Sequence, residues 1–334
     1  VYNTPMAKQK VYSGIRATGR LHLGNYLGAV KGMLELQDRY DCVFSVVDLH
    51  AITTPYEKET LAEATRSVIL DYLSVGLDPE RCLIEVQSMV PEHMELAYYL
   101  GTIYPVSRLE DLPTYKDKKE QHPKYVNMGL LYYPVLMAAD IMLYKAELIP
   151  VGIDQEPHIE VTREIVRKFN TTYGETFPEP KRFATQGGYV PSLMGTGKMS
   201  KSVEGSFINL TDDLETIKSR LAKVPTDSGI LGGQIPQEGG VANLFILMYL
   251  LGGKDMHHKY VLDYKDKKIR YSDMKADLAE IIFMELEPIQ EKRKYYEEHP
   301  EEVDAILQSH AQRCRAKAQL TINEVKSKMG FLSM

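Results

Sequence analysis

Tryptophan is absent from the 334-residue sequence, and cysteine occurs only three times. The first absence decides nothing about the fold. The second leaves no metal-ligand spacing and no disulfide framework, so Cys42, Cys82 and Cys314 read as small core or helix-face residues. A sparse, odd count suits a reducing cytoplasm. Long apolar runs are also missing. The best, Ala242 to Leu251, is about half the ~20 residues a membrane span requires, so no membrane partner is expected. No charged-then-apolar pattern opens the chain. Val1 to Pro5 reads as an irregular or added leader ahead of a natural start at Met6. A net charge of −6 excludes a generally basic nucleic-acid coat, and any such contact must come from local patches.

What is present begins with an ordinary globular composition, 44% hydrophobic and 26% charged, in a chain long enough for two domains. The stretch Gly195-Thr196-Gly197-Lys198-Met199-Ser200-Lys201-Ser202 joins two flexible glycines to two lysines three apart. Lysines are mobile point charges suited to polyphosphate oxygens; alone, the stretch also reads as a solvated turn. A second stretch, Ser13 to Tyr26, follows an extended run over Lys10 to Ile15. It leads into a helical pattern with Leu27, Val30 and Leu34 at helical spacing. A strand passing through a glycine-rich turn into a helix offers free N–H groups and a positive helix end, an anion site. His22 and Asn25 stand at its mouth.

Asp41 to Thr53 is a continuous apolar run ending in polar residues, the pattern of a buried parallel strand. Its tip, Asp48-Leu49-His50, is expected at the carboxyl end, where open α/β sheets bind ligands. His50 also reads as a satisfied interior histidine. Lys58 to Val75 predicts a helix with one apolar face, Cys82 to Val86 a strand, and Glu92 to Tyr104 another helix. This alternation predicts a Rossmann-like, doubly wound parallel sheet. Residues 104–126 break the pattern and read as an insertion. Its Lys116, Lys118 and Lys119 are either a solvated face or, through Lys118, a reach toward a triphosphate.

Met128 to Tyr144 is apolar nearly all round and predicts a buried helix, with Pro134 at a kink or at its true start. One carboxylate, Asp140, interrupts it. A buried ionised Asp is costly unless paired, so Asp140 is either a structural cap or an acceptor for a ligand's hydrogen bond. Tyr133 and Met137 share its helical face. Leu148 to Ile153 predicts a strand, with a helix starting near Glu156-Pro157. Gly152 and Asp154, at that strand's end, suit a ribose. After Leu210 the pattern turns helical: Leu214 to Val224, capped by Thr211-Asp212-Asp213, then Ala242–Leu251, Ser272–Tyr296 and Pro300–Met329. The expected division is a catalytic domain over 1–209 and an all-α domain over 210–334. The basic residues of the last helix, Arg313, Arg315, Lys317, Lys326 and Lys328, are either a solvated face or a nucleic-acid patch.

The two stretches together resemble the HIGH and KMSKS motifs of class I aminoacyl-tRNA synthetases. His22-Leu23-Gly24-Asn25 matches the first with Asn in the last place, and Lys198 to Ser202 matches the second letter for letter. The likeness is greatest to bacterial-type tryptophanyl-tRNA synthetases and runs from Val11 to about residue 330. It includes Tyr12-Ser13-Gly14-Ile15, Asp48 to Ile52, Tyr133 to Asp140 and Pro150 to Gln155. This resemblance implies that Asp140 accepts the indole N–H. It implies a pocket lined by Tyr12, Gly14, His50, Tyr133, Met137, Ile149 and Val151, with Tyr133 and Gln155 at the α-amino group. For ATP it implies Arg16, Ala17, Thr18, Gly24 and Asn25, then Gly152, Ile153, Asp154 and Val190. His22 and Asn25 would hold phosphate oxygens. Lys198 and Lys201 would close on the leaving pyrophosphate, with Met199, Ser200 and Ser202 beside them. The family often has Gln where this chain has Arg16, an extra charge beside substrate carboxylate and ATP.

The implied reaction is activation of tryptophan by ATP, with Mg²⁺ on the triphosphate, and transfer to tRNA(Trp). The implied assembly is a cytoplasmic homodimer formed by the sheet domain and its insertion, with the helical domain reading the anticodon. Indole is a large apolar plate with one donor. A buried acceptor that phenylalanine leaves unpaired can reject it by about 10⁴–10⁵ without editing. Two alternatives stand beside this reading. One is a tyrosyl-tRNA synthetase, in which Gln is expected where Met137 stands. The other is a synthetase-like regulator that senses tryptophan without charging tRNA; the intact lysines, His22 and full helical domain argue against it.

Overall fold

The computed structural model describes residues 8–152, 155–183, 189–201, 203–229 and 233–332. Five strands form one sheet: β1 Lys10–Arg16, β2 Asp41–Val47, β3 Leu83–Val86, β4 Leu148–Pro150 and β5 Lys181–Phe183. Every pairing is parallel, and the order across the sheet is β3-β2-β1-β4-β5. The chain winds outward from β1 in one direction and then returns to its other side at β4. Such a sheet has its switch point between β1 and β4, where ligands of open α/β folds bind. The expected Rossmann-like architecture with a helical C-terminal region is therefore present.

Alternation along the strands builds a core on each face. Val11, Phe44, Val46 and Ile84 pack to one side with the helix Lys58–Val75. Tyr12, Val43 and Leu83 pack to the other, against Glu92–Gly101, Met128–Leu143 and Glu156–Tyr173. Each core also takes residues from beyond position 210. Ile217, Leu244, Leu278 and Ile282 join the first, whereas Cys314, Ala318, Ile322 and Val325 join the second.

Several elements differ in extent from the sequence pattern. The strand β2 stops at Val47, and Asp48–Ala51 already turns helical. Residues 104–126 contain two short helices, Val106–Glu110 and Pro113–Gln121, which proline and charge hide from periodicity. Pro134 lies within the helix Met128–Leu143, whose true start is capped by Asn127 accepting from the Leu130 N–H at 3.0 Å. The helix predicted over Ala242–Leu251 runs over Gly239–Lys265, broken at Gly253 with φ 72°.

The final helix, Pro300–Met329, folds back on the sheet. His310 Nδ1 accepts the N–H of Ile84 in the edge strand β3 at 2.9 Å, 226 residues away in the chain. Most of its cations are engaged: Lys317 pairs with Asp41 at 2.7 Å, Lys326 with Glu95 at 2.5 Å and Lys328 with Glu324 at 3.2 Å.

Candidate active site

At the switch point a cavity of about 330 Å³ opens. That is at the lower end of small-molecule sites, roughly 300–1,000 Å³. β1 contributes Tyr12, Gly14 and Arg16; the turn after β2 contributes His50; β4 and the residues following it contribute Ile149, Val151 and Gln155. The helix Met128–Leu143 presents Tyr133, Met137 and Asp140 from one face. All nine residues expected around the amino acid therefore line one cavity. So do Arg16 and, of the three insertion lysines, Lys118 alone.

Asp140 is 1% exposed, which requires compensation of its charge. His50 Nε2 lies 2.9 Å from Oδ2, and Gln87 Nε2 donates to Oδ1 at 2.7 Å. His93 Nδ1 is also 2.7 Å from Oδ1, a close charge contact. Burial works against ionisation, yet the His50 and His93 contacts outweigh it and hold the carboxyl below its ordinary range. A carboxylate oxygen has two acceptor directions. Among the described residues Oδ2 has one hydrogen-bond partner, so one acceptor direction is unused, and Asp140 lines the cavity. Tyr133 is fixed in turn, its hydroxyl 2.7 Å from Thr114 Oγ1 and 2.6 Å from His158 Nε2. Arg16 donates to Thr54 Oγ1 at 3.0 Å, while its Nε is buried without a partner among the described residues.

The glycine-rich turn and the lysine loop meet beside this cavity, and none of His22, Asn25, Lys198 and Lys201 is among its lining residues. His22 and Asn25 form a reciprocal cap: the Asn25 N–H donates to His22 Nδ1 at 3.3 Å, and Asn25 Oδ1 accepts the His22 N–H at 3.2 Å. Because Nδ1 accepts, the ring proton sits on Nε2. Burial and the nearby Lys201 and Lys198 charges push the His22 pKa down to about 4, so the ring is neutral at pH 7. Gly24 allows this closeness, since a Cβ there would lie 2.9 Å from the His22 ring and 3.0 Å from Met199 Cβ.

In the lysine loop, Met199 is buried and donates its N–H to Val190 O at 3.0 Å. Ser200 O accepts from the Ser206 hydroxyl at 2.5 Å. Lys198 is exposed. Lys201 Nζ donates to Thr18 O at 3.2 Å, tying the loop to the turn. Burial lowers its pKa to about 8. Ala17 and Thr18 line a second cavity, about 550 Å³, that shares Arg16 and Thr54 with the first. Gly152 lies just past β4, its carbonyl accepting the Gln155 N–H at 3.1 Å. Ile153, Asp154 and Ser202 lie outside the described residues.

The turn itself is held from the helical region. Asp71 accepts the Leu21 N–H at 2.6 Å and pairs with Arg293, and both are buried. Leu23 and Leu210 exchange main-chain bonds with Ile208 and Leu21, while Gln290 donates to Leu210 O at 2.9 Å. Sequence reasoning missed this tether, and it missed Gln87, His93 and Glu85 around Asp140. Gln87 was findable, because it follows β3 at the same carboxyl edge as His50. Arg293 and Asp71 are 222 residues apart and left no local signal.

A parallel sheet with an acceptor-bearing apolar cavity at its switch point, and a capped glycine turn facing a lysine loop, defines an α/β protein for a small molecule and a polyphosphate. Comparison with known proteins narrows this. The family model of class I tRNA synthetases (W and Y) matches residues 4–287, and the chain belongs to that family. A tryptophan–tRNA ligase of Porphyromonas gingivalis is 39% identical over 326 residues, covering 97% of this chain and 99% of the relative. The crystal structure of tryptophanyl-tRNA synthetase from Campylobacter jejuni, complexed with ADP and tryptophan, superposes with TM-score 0.84 at 30% identity, covering 97% of this chain and all of that one. That from Mycoplasma pneumoniae gives TM-score 0.86 at 28% identity, with 98% and 99% covered. Among the described residues no helix is long and apolar enough to cross a membrane.

Proposed function

We propose that this chain activates L-tryptophan with ATP to tryptophanyl-adenylate and transfers the amino acid to tRNA(Trp). One observation carries the choice of amino acid: a buried, ionised Asp140 on the wall of a cavity that Val47, Leu130, Met137, Ile141, Ile149 and Val151 also line. Indole offers the matching single donor on an apolar plate. Met137 against the ring favours indole over a phenol.

The tryptophan carboxylate attacks the α-phosphate in line and pyrophosphate leaves. The nucleophile is already ionised, so positioning and charge stabilisation do the work. His22, neutral with its proton on Nε2, and the Asn25 amide donate to phosphate oxygens. Lys198 and Lys201 neutralise the leaving pyrophosphate, and Lys118 reaches the triphosphate. Arg16 bridges the amino-acid carboxylate and the nucleotide. Gly24, Ala17, Thr18, Val190, Met199, Ser200 and Gly152 shape the nucleotide side. Ile153, Asp154 and Ser202 complete it. Mg²⁺ enters as part of the ATP substrate. Bound to the triphosphate, Mg²⁺ would neutralise part of its charge, and magnesium commonly keeps phosphate and water as ligands. The 2′-hydroxyl of the terminal adenosine of tRNA then takes the aminoacyl group and releases AMP. Residues 210–334 read the anticodon, and the working unit is a cytoplasmic homodimer.

The test is aminoacylation of bacterial tRNA with tryptophan or tyrosine, together with pyrophosphate exchange. Charging with tryptophan alone is expected. Charging with tyrosine, or binding of tryptophan without adenylate formation, overturns the reading. Because the chain has no tryptophan, the ligand's own indole fluorescence reports its binding directly.

A further inference from the structure

Behind the amino-acid cavity lies a buried chain of charges that the proposed chemistry leaves unused. Glu85 sits in the interior of β3 with 1% exposure, an unusual place for a carboxylate. It accepts from the Ser45 hydroxyl at 3.0 Å and from the Tyr144 hydroxyl. His93, fully buried, lies with Nε2 2.8 Å from Glu85 and Nδ1 2.7 Å from Asp140. One imidazole thus spans two carboxylates, one of which faces the substrate cavity.

We propose that His93, set by Glu85, is a positioning residue for amino-acid selection: it holds Asp140 as an oriented anion, with the unused Oδ2 direction kept for the ligand's N–H. This inference rests on the tryptophan reading above and adds the device that enforces it. The geometry divides the labour. Gln87 and His93 take Oδ1, and His50 takes one side of Oδ2. Without His93, the carboxylate loses its charge partner and can rotate or take up a proton. A protonated Asp140 can donate as well as accept, and a ring without an N–H then becomes acceptable. Burial opposes the His93 charge, but the Glu85 and Asp140 carboxylates outweigh it and raise the pKa above the ordinary imidazole range. The other groups facing this ring are the phenols of Tyr12 from β1 and Tyr144 from the end of the adjacent helix, with ring centroids 6.5 and 5.7 Å away. Cys314 of the last helix stands near Glu85 and Tyr144.

The experiment compares pyrophosphate exchange for tryptophan and for benzothienylalanine, in which sulfur replaces the indole N–H, using the full chain. Wild-type protein must first activate tryptophan; failure there overturns the functional reading and with it this proposal. His93→Asn keeps a donor near Asp140 but removes the charge. It is expected to raise the tryptophan KM at least tenfold and to lower the tryptophan-to-benzothienylalanine preference at least tenfold, with the ATP KM within threefold. Glu85→Gln keeps the shape of β3 and leaves His93 one anion. Its tryptophan KM is expected to rise with pH between about 6 and 9, where the wild-type KM stays flat, because a less stabilised imidazolium loses its proton nearer the ordinary value. An unchanged isostere preference in His93→Asn overturns the proposal. If that variant does not fold, a flat pH profile in Glu85→Gln overturns it instead.

Discussion

At the amino-acid end of the site three side chains fix Asp140, whereas at the nucleotide end main-chain bonds and a capping exchange fix His22. The first region stores charge in a closed, paired network. The second keeps its His22 neutral and leaves Lys198 exposed. Under the proposed function, the difference follows from the ligands each end would meet. A neutral ring with one donor needs a preset acceptor that cannot relax. A polyphosphate carries its own charge, so the protein need only keep donors unpaired and cations mobile until it arrives.

Substitutions can break this contrast. The largest effect is expected from Asp140→Asn, which keeps the shape and discards the charge. Tryptophan kcat/KM should fall by about 10³ or more, measured by pyrophosphate exchange; a loss under tenfold means the acceptor role lies elsewhere. Next comes the tether beneath the nucleotide turn. Arg293→Met leaves Asp71 buried without its partner, so chemical denaturation should show a loss of about 3–5 kcal/mol. At temperatures where the variant remains folded, the ATP KM should rise more than the tryptophan KM. His22→Ala should lower kcat about 10²-fold, the cost of one transition-state donor, with the tryptophan KM within threefold. A matching rise in tryptophan KM would show that the two ends are not separable. The smallest effect is titration. Lys201 has its pKa near 8, and in the proposed role it meets phosphate as the ammonium form. Raising the pH through 8 must therefore raise the ATP KM, by up to about tenfold per pH unit, while the tryptophan KM stays level.

The same contrast explains what was legible in the chain. Glycine turns, lysine loops and a lone carboxylate in an apolar helix are local, so His22, Lys201 and Asp140 could be picked out one by one. Strand β2 and the helix Lys58–Val75 were equally plain, since period and apolar runs report burial. The partners were not. Gln87 could be found only from its place after β3, His93 is an ordinary residue until β3 is laid beside β2, and Arg293 is one basic residue among several in a charged helix. The two short helices between Val106 and Gln121 escaped because proline and lysine mask their start and their packed face. The final helix was visible as a helix, but the ion pairs that engage its cations depend on where it docks.

That docking sets an order of events during synthesis. The outer backbone donor of β3 is satisfied by His310, which follows it by 226 residues. A nascent chain that has emerged only through the sheet carries an uncovered strand edge, the feature that invites pairing between neighbouring polypeptides. Ribosome pausing before residue 310 should therefore promote self-association, and a chaperone that shields β3 would have most to do in that interval.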